Sequence, residues 1–431
     1  MNIPQHTDVL IIGGGPAGAT AACMLALKGV EVTLLEKAQF PRYTVGESLI
    51  PHFWKFTDQI GVSEQIMAEG FIRKGGGAAY WDGVLRGMNF KRYGHSRPGL
   101  HVERDRFDQI LLDRAKELGV QVFEQTLVKT VQLEEKRTTV SYQSVNTKEE
   151  GNIACRYLID ASGQQAVVAR QLGTRTFDEQ FKFQAFWAYF DRSDYLGGDG
   201  KIHDFAQRFE ASPMSLTSGT GDWGWVWHLV LRDKVSVGAL VPRSQLNAFK
   251  AGGEDLQSRY LQHIRQTPLT GSLLQNGQLI SPVRSIRDYA YLPTKLVVGN
   301  CYLAGDAAAF ADPINSEGVT MSMYGGLMAA WSVYKVLEQP TRADFYQKLF
   351  ADNLKRRLQV FQLLSYPSHQ IPDQLRESCR HIVANQSRDE SYLILAHLVL
   401  MNRSKDFPDL LQAMGIPPKE VCPRIELVHE Y

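Results

Sequence analysis

Three glycines and one acidic residue near the start of the chain are spaced as in a nucleotide-binding turn. An apolar run of strand length precedes Gly13, Gly15 and Gly18, and an Ala-rich segment and a second apolar run lead to Glu36. In such a βαβ unit the glycines let the backbone approach a pyrophosphate, which faces a helix N-terminus, and the acid binds ribose hydroxyls. This context favours a bound dinucleotide over a glycine-rich turn without a ligand. The predicted contacts are Gly13, Gly15, Ala17, Gly18, Glu36 and Lys37.

Two later segments place an acidic residue among small residues at the end of a predicted strand. They are LIDASG, which contains Asp160, and AGDAAAFADP, which contains Gly305, Asp306 and Pro313. An acid in this position can hold a ribose or ribityl hydroxyl, although each segment alone is equally consistent with a structural turn. Together with the opening motif, they are typical of a flavoprotein in which one FAD contacts several segments.

The elements that must position these residues alternate between strand and helix in the first part of the chain. Residues 90–101 are polar and predicted to be irregular, and a segment rich in aromatic and β-branched residues follows residue 176. We predict an α/β fold with a discontinuous Rossmann-like, GR2-type FAD-binding domain at 1–176 and 282–340. A mostly β substrate-binding lobe is predicted at 177–281, and a helical C-terminal region at 341–431.

Composition excludes several classes of protein. The 431 residues carry a net charge of +1, which gives no general attraction to nucleic acid or anionic membranes. No apolar run approaches the roughly 18 residues of a membrane span. The five cysteines are scattered, without metal-ligand spacing, and the opening motif leaves no room for a signal peptide. We therefore expect a reduced, cytoplasmic protein without a structural metal.

The chain resembles the two-domain FAD-dependent oxidoreductases of the p-hydroxybenzoate hydroxylase-like class. The segments GGGPAG, VERDRFDQILLDRA, LIDASG and AGDAAAFADP match that class in order. Within it, the chain most resembles the flavin-dependent halogenases of the phenol- and pyrrole-acting type, through VGESLIP, GFIRKGG, GWVWHLVL and DPINSEGV. The resemblance implies that Glu47, a candidate catalytic group, lies near the flavin together with Ser48, Arg104, Pro313, Gly318 and Val319. For Glu47, a loop carboxylate in solvent is an equal alternative.

The resemblance also assigns a catalytic role to Lys74. In these halogenases FADH2, O2 and halide give a hypohalous acid that reaches a lysine between flavin and substrate. An ammonium can hydrogen-bond hypohalite, and an amine can form a haloamine. The alternative is a solvated surface lysine beside Arg73, which is the usual environment of Lys-Arg pairs.

Two tryptophans match the W-x-W part of a family signature. Alternate residues on a strand point to the same side, so Trp225 and Trp227 can form one wall of a substrate pocket. Two core tryptophans of a β-lobe are an equal alternative. The chain departs from the signature after them, because Leu229 and Val230 stand where Ile-Pro is usual.

The resemblance places a halide site at Ser316, Glu317 and Gly318, where the halogenases usually carry only small residues. Glu317 is the second departure from the family pattern. A carboxylate about 4 Å from a chloride repels it by about 1 kcal/mol even in water, unless the side chain points away. The helix predicted to begin near Thr320 would still direct its N-terminus at the flavin.

Two functional hypotheses follow, with a third reading beside them. The first is a halogenase that uses FADH2, O2 and chloride or bromide on an electron-rich aromatic substrate, free or carrier-bound. In this hypothesis a separate flavin reductase supplies the FADH2. The second, motivated by Glu317, is a non-halogenating flavin monooxygenase or a geranylgeranyl-reductase-like enzyme with an apolar substrate. The third is a flavin-binding protein that has lost its chemistry.

Overall fold

The computed structural model describes residues 3–384 except 93, 135–136, 178–180, 288 and 367–370. The end of the predicted helical C-terminal region, at 385–431, lies outside the described residues. Strands and helices are numbered along the chain.

The opening motif lies in an eight-stranded sheet with a parallel centre. The order is β21-β22-β11-β1-β2-β8, and β9 and β10 extend β11 as an antiparallel meander. Residues Val9–Ile12 of β1 are buried between β2 and β11, which explains their unbroken apolar character. The strands are β1 (His6–Ile12), β2 (Val32–Leu35), β8 (Gln121–Phe123), β9 (Thr126–Leu133), β10 (Thr138–Ser144), β11 (Glu150–Asp160), β21 (Val297–Val298) and β22 (Cys301–Leu303).

A second, seven-stranded sheet has the order β19-β13-β18-β17-β16-β5-β6. Three of its strands, β5, β6 and β19, come from the ranges that we predicted as FAD-binding domain. The first two join this sheet because β5 pairs in parallel with β16, far along the chain, and β19 joins it by antiparallel pairing with β13. The strands are β5 (Gly76–Trp81), β6 (Val84–Asn89), β13 (Phe183–Phe190), β16 (Met214–Gly221), β17 (Gly224–Val230), β18 (Val235–Pro242) and β19 (Arg284–Arg287).

A small three-stranded sheet carries Ser48, Lys74 and His101, whose side-chain hydrogen bonds are described below. Its order is β3-β7-β4, with β7 in the centre, although the sequence predicts irregular structure over 90–101. The strands are β3 (Ser48–Leu49), β4 (Ile72–Lys74) and β7 (Gly99–His101). Two further ladders pair β12 (Arg175–Phe177) with β20 (Tyr291–Pro293) and β14 (Tyr195–Leu196) with β15 (Ile202–His203).

The helix that follows the glycine motif, α1, packs against α9. Their close approach needs Gly326, where an added Cβ would lie 2.1 Å from the carbonyl oxygen of Ala17. None of the described helices is both long enough and apolar enough to cross a membrane. The helices are α1 (Pro16–Ala26), α2 (Trp54–Ile60), α3 (Ser63–Ala68), α4 (Arg104–Glu117), α5 (Val167–Gln171), α6 (Leu246–Ala251), α7 (Leu256–Gln266), α8 (Thr270–Leu273), α9 (Gly318–Glu338), α10 (Ala343–Ser365) and α11 (Asp373–Ala384).

Candidate active site

Residues from the seven-stranded and three-stranded sheets, together with loops that follow strands of the eight-stranded sheet, line one cavity of about 480 Å³, the main cavity. Its lining combines the glycine turn with an aromatic group that includes Trp187, Trp225 and Trp227. Most of the predicted site residues line it, namely Gly13, Gly15, Ala17, Glu36, Lys37, Glu47, Ser48, Arg104, Trp225, Trp227, Asp306, Pro313, Ser316, Gly318 and Val319. The remaining predicted residues, Gly18, Lys74, Asp160, Gly305 and Glu317, do not line it.

The glycine turn has the geometry that a dinucleotide requires. Gly13 has a φ of +99°, and an added Cβ would lie 2.4 Å from the carbonyl oxygen of Ala161. Glu36 is buried and accepts hydrogen bonds from the backbone N–H groups of Gly14, at 2.7 Å, and Ala38, at 2.8 Å. A carboxylate has about four acceptor positions, so Glu36 retains capacity for ribose hydroxyls in the cavity.

Arg42 is a cavity residue that the sequence analysis missed. Its Nη2 lies 3.0 Å from Oδ2 of Asp108 and 3.3 Å from the position of a Cβ on Gly15. Its Nη1 is buried without a hydrogen-bond partner among the described residues. An unsatisfied guanidinium N–H beside the glycine turn fits the pyrophosphate of an adenine dinucleotide. The available signal was a basic residue in the loop that follows Glu36.

Arg104 lines the cavity while it also anchors this loop. Its Nη1 donates to the carbonyl oxygens of Val45, at 2.9 Å, and Gly46, at 3.1 Å. Its Nε and Nη2 donate to the two carboxylate oxygens of Asp108. The buried Arg104–Asp108 pair therefore fixes the loop that carries Glu47 and Ser48.

The two acidic residues predicted at strand ends have different environments. Asp160 accepts hydrogen bonds from the N–H groups of Ser162, at 3.0 Å, and Val168, at 2.8 Å, and it shapes the turn after β11. Asp306 lines the main cavity, and Gln164 donates to its carboxylate at 3.3 Å. Burial raises the pKa of Asp306. Asp306 is thus the acid that a bound dinucleotide can reach.

Glu47 connects the loop to the aromatic part of the cavity. Its carboxylate accepts hydrogen bonds from Tyr189 Oη at 2.5 Å and from Ser236 Oγ at 2.7 Å. Ser236 in turn accepts from Nε1 of Trp227 at 3.2 Å. Burial raises the pKa of Glu47. The ring of Trp225 lies 6.1 Å from that of Trp227, so both indoles belong to the same wall.

Lys74 is only 2% exposed, which rules out the solvated surface lysine. Its Nζ donates to Ser48 Oγ at 2.9 Å and to Ser316 Oγ at 3.3 Å, and both serines line the main cavity. Burial lowers the pKa of Lys74 to about 7, against the opposing effect of the Glu317 carboxylate. The Lys74 amine therefore lies behind the cavity wall, and the hydroxyl groups of Ser48 and Ser316 lie between it and the cavity.

Glu317 is 2% exposed and directly precedes α9. Its carboxylate accepts no hydrogen bond from the described residues, and its Oε1 lies 3.8 Å from Nδ1 of His52. Its neighbours Ser316 and Gly318 line the main cavity, whereas Glu317 lines a separate cavity of about 30 Å³. The carboxylate of Glu317 is therefore not part of the wall of the main cavity.

Comparison with known proteins extends these observations. The family model described as FAD binding domain matches residues 6–352. A tryptophan 2-halogenase of Chondromyces crocatus is 33% identical over 367 residues, which cover 83% of this chain and 67% of that protein. The flavin-dependent halogenase armH2 of Armillaria mellea is 35% identical over 348 residues, which cover 77% of this chain and 66% of that protein. The chain thus spans about two thirds of the length of these relatives.

A solved structure is similar over nearly the whole chain. The myxobacterial chondrochloren halogenase CndH, described as a variant of FAD-dependent halogenases, aligns with a TM-score of 0.75 and 26% identity. The alignment covers 97% of this chain and 100% of that one.

Proposed function

Because the chain belongs to the flavin-dependent halogenase family, an FAD-dependent oxidoreductase family, we propose that it transfers an oxidised halogen to an electron-rich aromatic ring. Gly13, Glu36, Arg42 and Asp306 would hold the FAD, because they combine backbone access, acceptors for hydroxyl groups and a cation for phosphate. When bound in its reduced form, the flavin supplies the electrons that activate O2.

The observation that carries this proposal is the environment of Lys74. A buried amine with a pKa of about 7 is present both as ammonium and as free amine near neutrality. The ammonium can donate a hydrogen bond to hypohalous acid. The free amine can attack its halogen, so that an N–halogen bond forms as the O–halogen bond breaks and the hydroxide leaves as water with a proton from the amine. Donation to Ser48 and Ser316 holds the amine against the cavity wall in either case.

The lining of the cavity supports an aromatic substrate. Trp187, Trp225, Trp227 and Tyr289 offer flat apolar surfaces, and flat rings pack well against such surfaces. Indoles, phenols and pyrroles share the electron-rich ring that an electrophilic halogen attacks. Because one relative is a tryptophan 2-halogenase, we include indoles among the candidate substrates, together with the phenols and pyrroles that the sequence suggests. We also propose a separate flavin reductase and a carrier protein as partners.

Product analysis tests the proposal. The protein would be supplied with FADH2, O2 and bromide or chloride, together with a panel of indoles, phenols and pyrroles. We expect mass spectra with the isotope pattern of one added halogen. Lys74→Ala should reduce this product about 10²-fold or more while the protein still reoxidises FADH2. The exposed Lys129 provides a matched control, because Lys129→Ala should leave the product yield unchanged.

Glu317 favours one competing function. Its buried carboxylate lies close enough to raise the pKa of Lys74, so it also opposes anions in this region. A hydroxylated or desaturated product without halogen, across the whole panel, would replace the proposal with a monooxygenase or reductase. Halogenation that persists in Lys74→Ala would refute the role of the lysine.

A further inference from the structure

A continuous row of hydrogen bonds connects Lys74 with His101, a buried histidine that neither hypothesis uses. Lys74 Nζ donates to Ser48 Oγ at 2.9 Å, and Ser48 Oγ lies 2.9 Å from Ser215 Oγ. Ser215 Oγ lies 2.9 Å from Nε2 of His101, and Nδ1 of His101 lies 3.0 Å from the carbonyl oxygen of Val230. We name Ser48, Ser215 and His101 the relay.

The chemistry of its end groups sets the direction of every hydrogen bond in the relay. The carbonyl of Val230 only accepts, so Nδ1 of His101 must carry a proton. His101 is completely buried, and burial together with the charge of Lys74 lowers its pKa to about 3, so the ring is neutral and Nε2 accepts. Ser215 must then donate its single proton to His101.

The same reasoning continues to the lysine. Because the proton of Ser215 is used, Ser48 must donate to Ser215, and the lone pairs of Ser48 face Lys74. Ser48 therefore always presents an acceptor to Lys74. This arrangement favours a lysine that donates, and it prevents Ser48 from donating to a neutral amine.

Strand pairing explains how four distant residues meet. Ser48 on β3 is the register partner of His101 on β7, and β4, which ends at Lys74, pairs with the other edge of β7. Ser215 belongs to β16 in the seven-stranded sheet. The relay thus joins the small sheet to the large one at the wall of the main cavity.

We propose that His101 is a positioning residue that acts through Ser215 and Ser48 to hold the Lys74 amine as a hydrogen-bond donor at the cavity wall. An effect of this positioning on halogen transfer rests on the proposed function, whereas the hydrogen bonds of the relay do not depend on it. The charged or polarisable groups that face Lys74 from the surrounding elements are Ser48, Phe90, His101, Ser316 and Glu317.

Ser215→Ala breaks the relay between His101 and Ser48. The hydroxyl proton of Ser48 then loses its acceptor and becomes free to donate to a neutral Lys74 amine. Since this stabilises the uncharged form, the pKa of Lys74 should fall by about one unit. The FAD-bound protein would be labelled with [ε-¹³C]lysine and titrated by NMR, with the Lys74 signal assigned by its loss in Lys74→Met.

Matched variants separate the relay from general packing. Ser215→Thr keeps the hydroxyl on the same strand and should retain the parent pKa of Lys74. Ser218→Ala, also on β16, removes a buried hydroxyl that pairs with Thr270 Oγ1 at 2.9 Å, outside the relay. It should also retain the parent value. Ser215→Cys, with a weak donor of similar size, serves as a second break if Ser215→Ala does not fold.

The results decide between a relay and a merely structural serine. A lower pKa of Lys74 in Ser215→Ala or Ser215→Cys, with parent values in the two controls, supports the proposal. An unchanged pKa in the breaking variants, or an equal fall in Ser218→Ala, overturns it. If the parent protein makes no halogenated product, the proposed function fails while the titration still tests the relay.

Discussion

Replacing Gly238 with alanine should displace the ring of Trp227. The two residues are register partners on β18 and β17. An added Cβ at position 238 would lie 2.1 Å from Cζ2, 2.3 Å from Cη2 and 2.5 Å from Cε2 of Trp227. Because carbon atoms in contact are about 3.5–4.0 Å apart, the ring must move by roughly 1.5 Å or the strands must separate.

This displacement has an energetic and a functional consequence. Overpacking of this kind costs about 1–3 kcal/mol, and the hydrogen bond from Trp227 to Ser236 is worth about 1 kcal/mol more. We therefore expect the free energy of unfolding to fall by about 2–4 kcal/mol. Since Trp227 lines the main cavity, a misplacement of about 1 Å should lower kcat/KM up to about 10²-fold, while FAD still binds at the distant glycine turn.

Urea unfolding followed by tryptophan fluorescence measures the first effect, and a double-mutant cycle tests its cause. Trp227→Phe removes part of the ring over Gly238, so it should recover at least about 1 kcal/mol of the loss in the double variant. Ser236→Ala is the control, because it removes the hydrogen bond from Trp227 without adding a clash. It also removes the hydrogen bond that Ser236 donates to Glu47, so its loss of stability is an upper limit for the bond to Trp227. The reasoning is refuted if Gly238→Ala is as stable as the parent, or if Trp227→Phe recovers nothing.

Three further predictions concern buried carboxyl groups. Glu36→Ala leaves two backbone N–H groups without their acceptor and should weaken FAD binding about tenfold or more, measured by flavin fluorescence titration. Glu317→Gln removes a charge that raises the pKa of Lys74, so the lysine should lose its proton at lower pH in the NMR titration, and an upward shift would contradict this reasoning. Burial raises the pKa of Asp312 from 3.8 to about 7, so the folded state binds its proton more tightly than the unfolded state. Stability should therefore fall as pH rises through this window, and Asp312→Asn should flatten that slope in urea unfolding.

The dinucleotide half of the site could be predicted because its signals are local. Gly13 needs a left-handed backbone for its turn, and Glu36 directly follows the neighbouring strand β2, so a short stretch of sequence defines both. The α/β FAD-binding fold and FAD as cofactor are confirmed by the comparisons. Arg42 escaped prediction because its side chain reaches Gly15 only after the loop folds back onto Asp108.

Asp160 and Asp306 have similar sequence contexts, but their carboxylates have different environments in the structure. Asp160 ends the buried part of β11, Asp306 follows the buried strand β22, and both stand among small residues. Asp160 uses its carboxylate for backbone N–H groups of the next turn, and Asp306 faces the main cavity. The orientation of the following backbone decides between these outcomes, and composition does not reveal that orientation.

The relay depends on strand register and was inaccessible to sequence analysis. Lys74 and His101 meet Ser48 only because β7 pairs with both β3 and β4, and Ser215 arrives from another sheet. Short strands such as β7 carry too few residues to show alternation, so residues 90–101 appeared irregular. The pairing of β5 with β16 could not be predicted either, because parallel pairing joins segments that are distant in sequence.

Lys74 and Glu317 both lie behind the wall of the main cavity, so the net charge there depends on whether Lys74 is protonated. Neither side chain lines the main cavity, and the residues between them and the cavity include the neutral hydroxyls of Ser48 and Ser316. When Lys74 is protonated, its charge offsets the carboxylate of Glu317, and the wall tolerates an anion. When Lys74 loses its proton, the Glu317 carboxylate loses the opposing charge of the ammonium, and in this buried region it repels an anion more strongly than it would in water. Under the proposed function, affinity for a halide beside Ser316 and Gly318 should therefore weaken as pH rises through the pKa of Lys74, so that one proton would control both the anion and the amine proposed to receive the halogen.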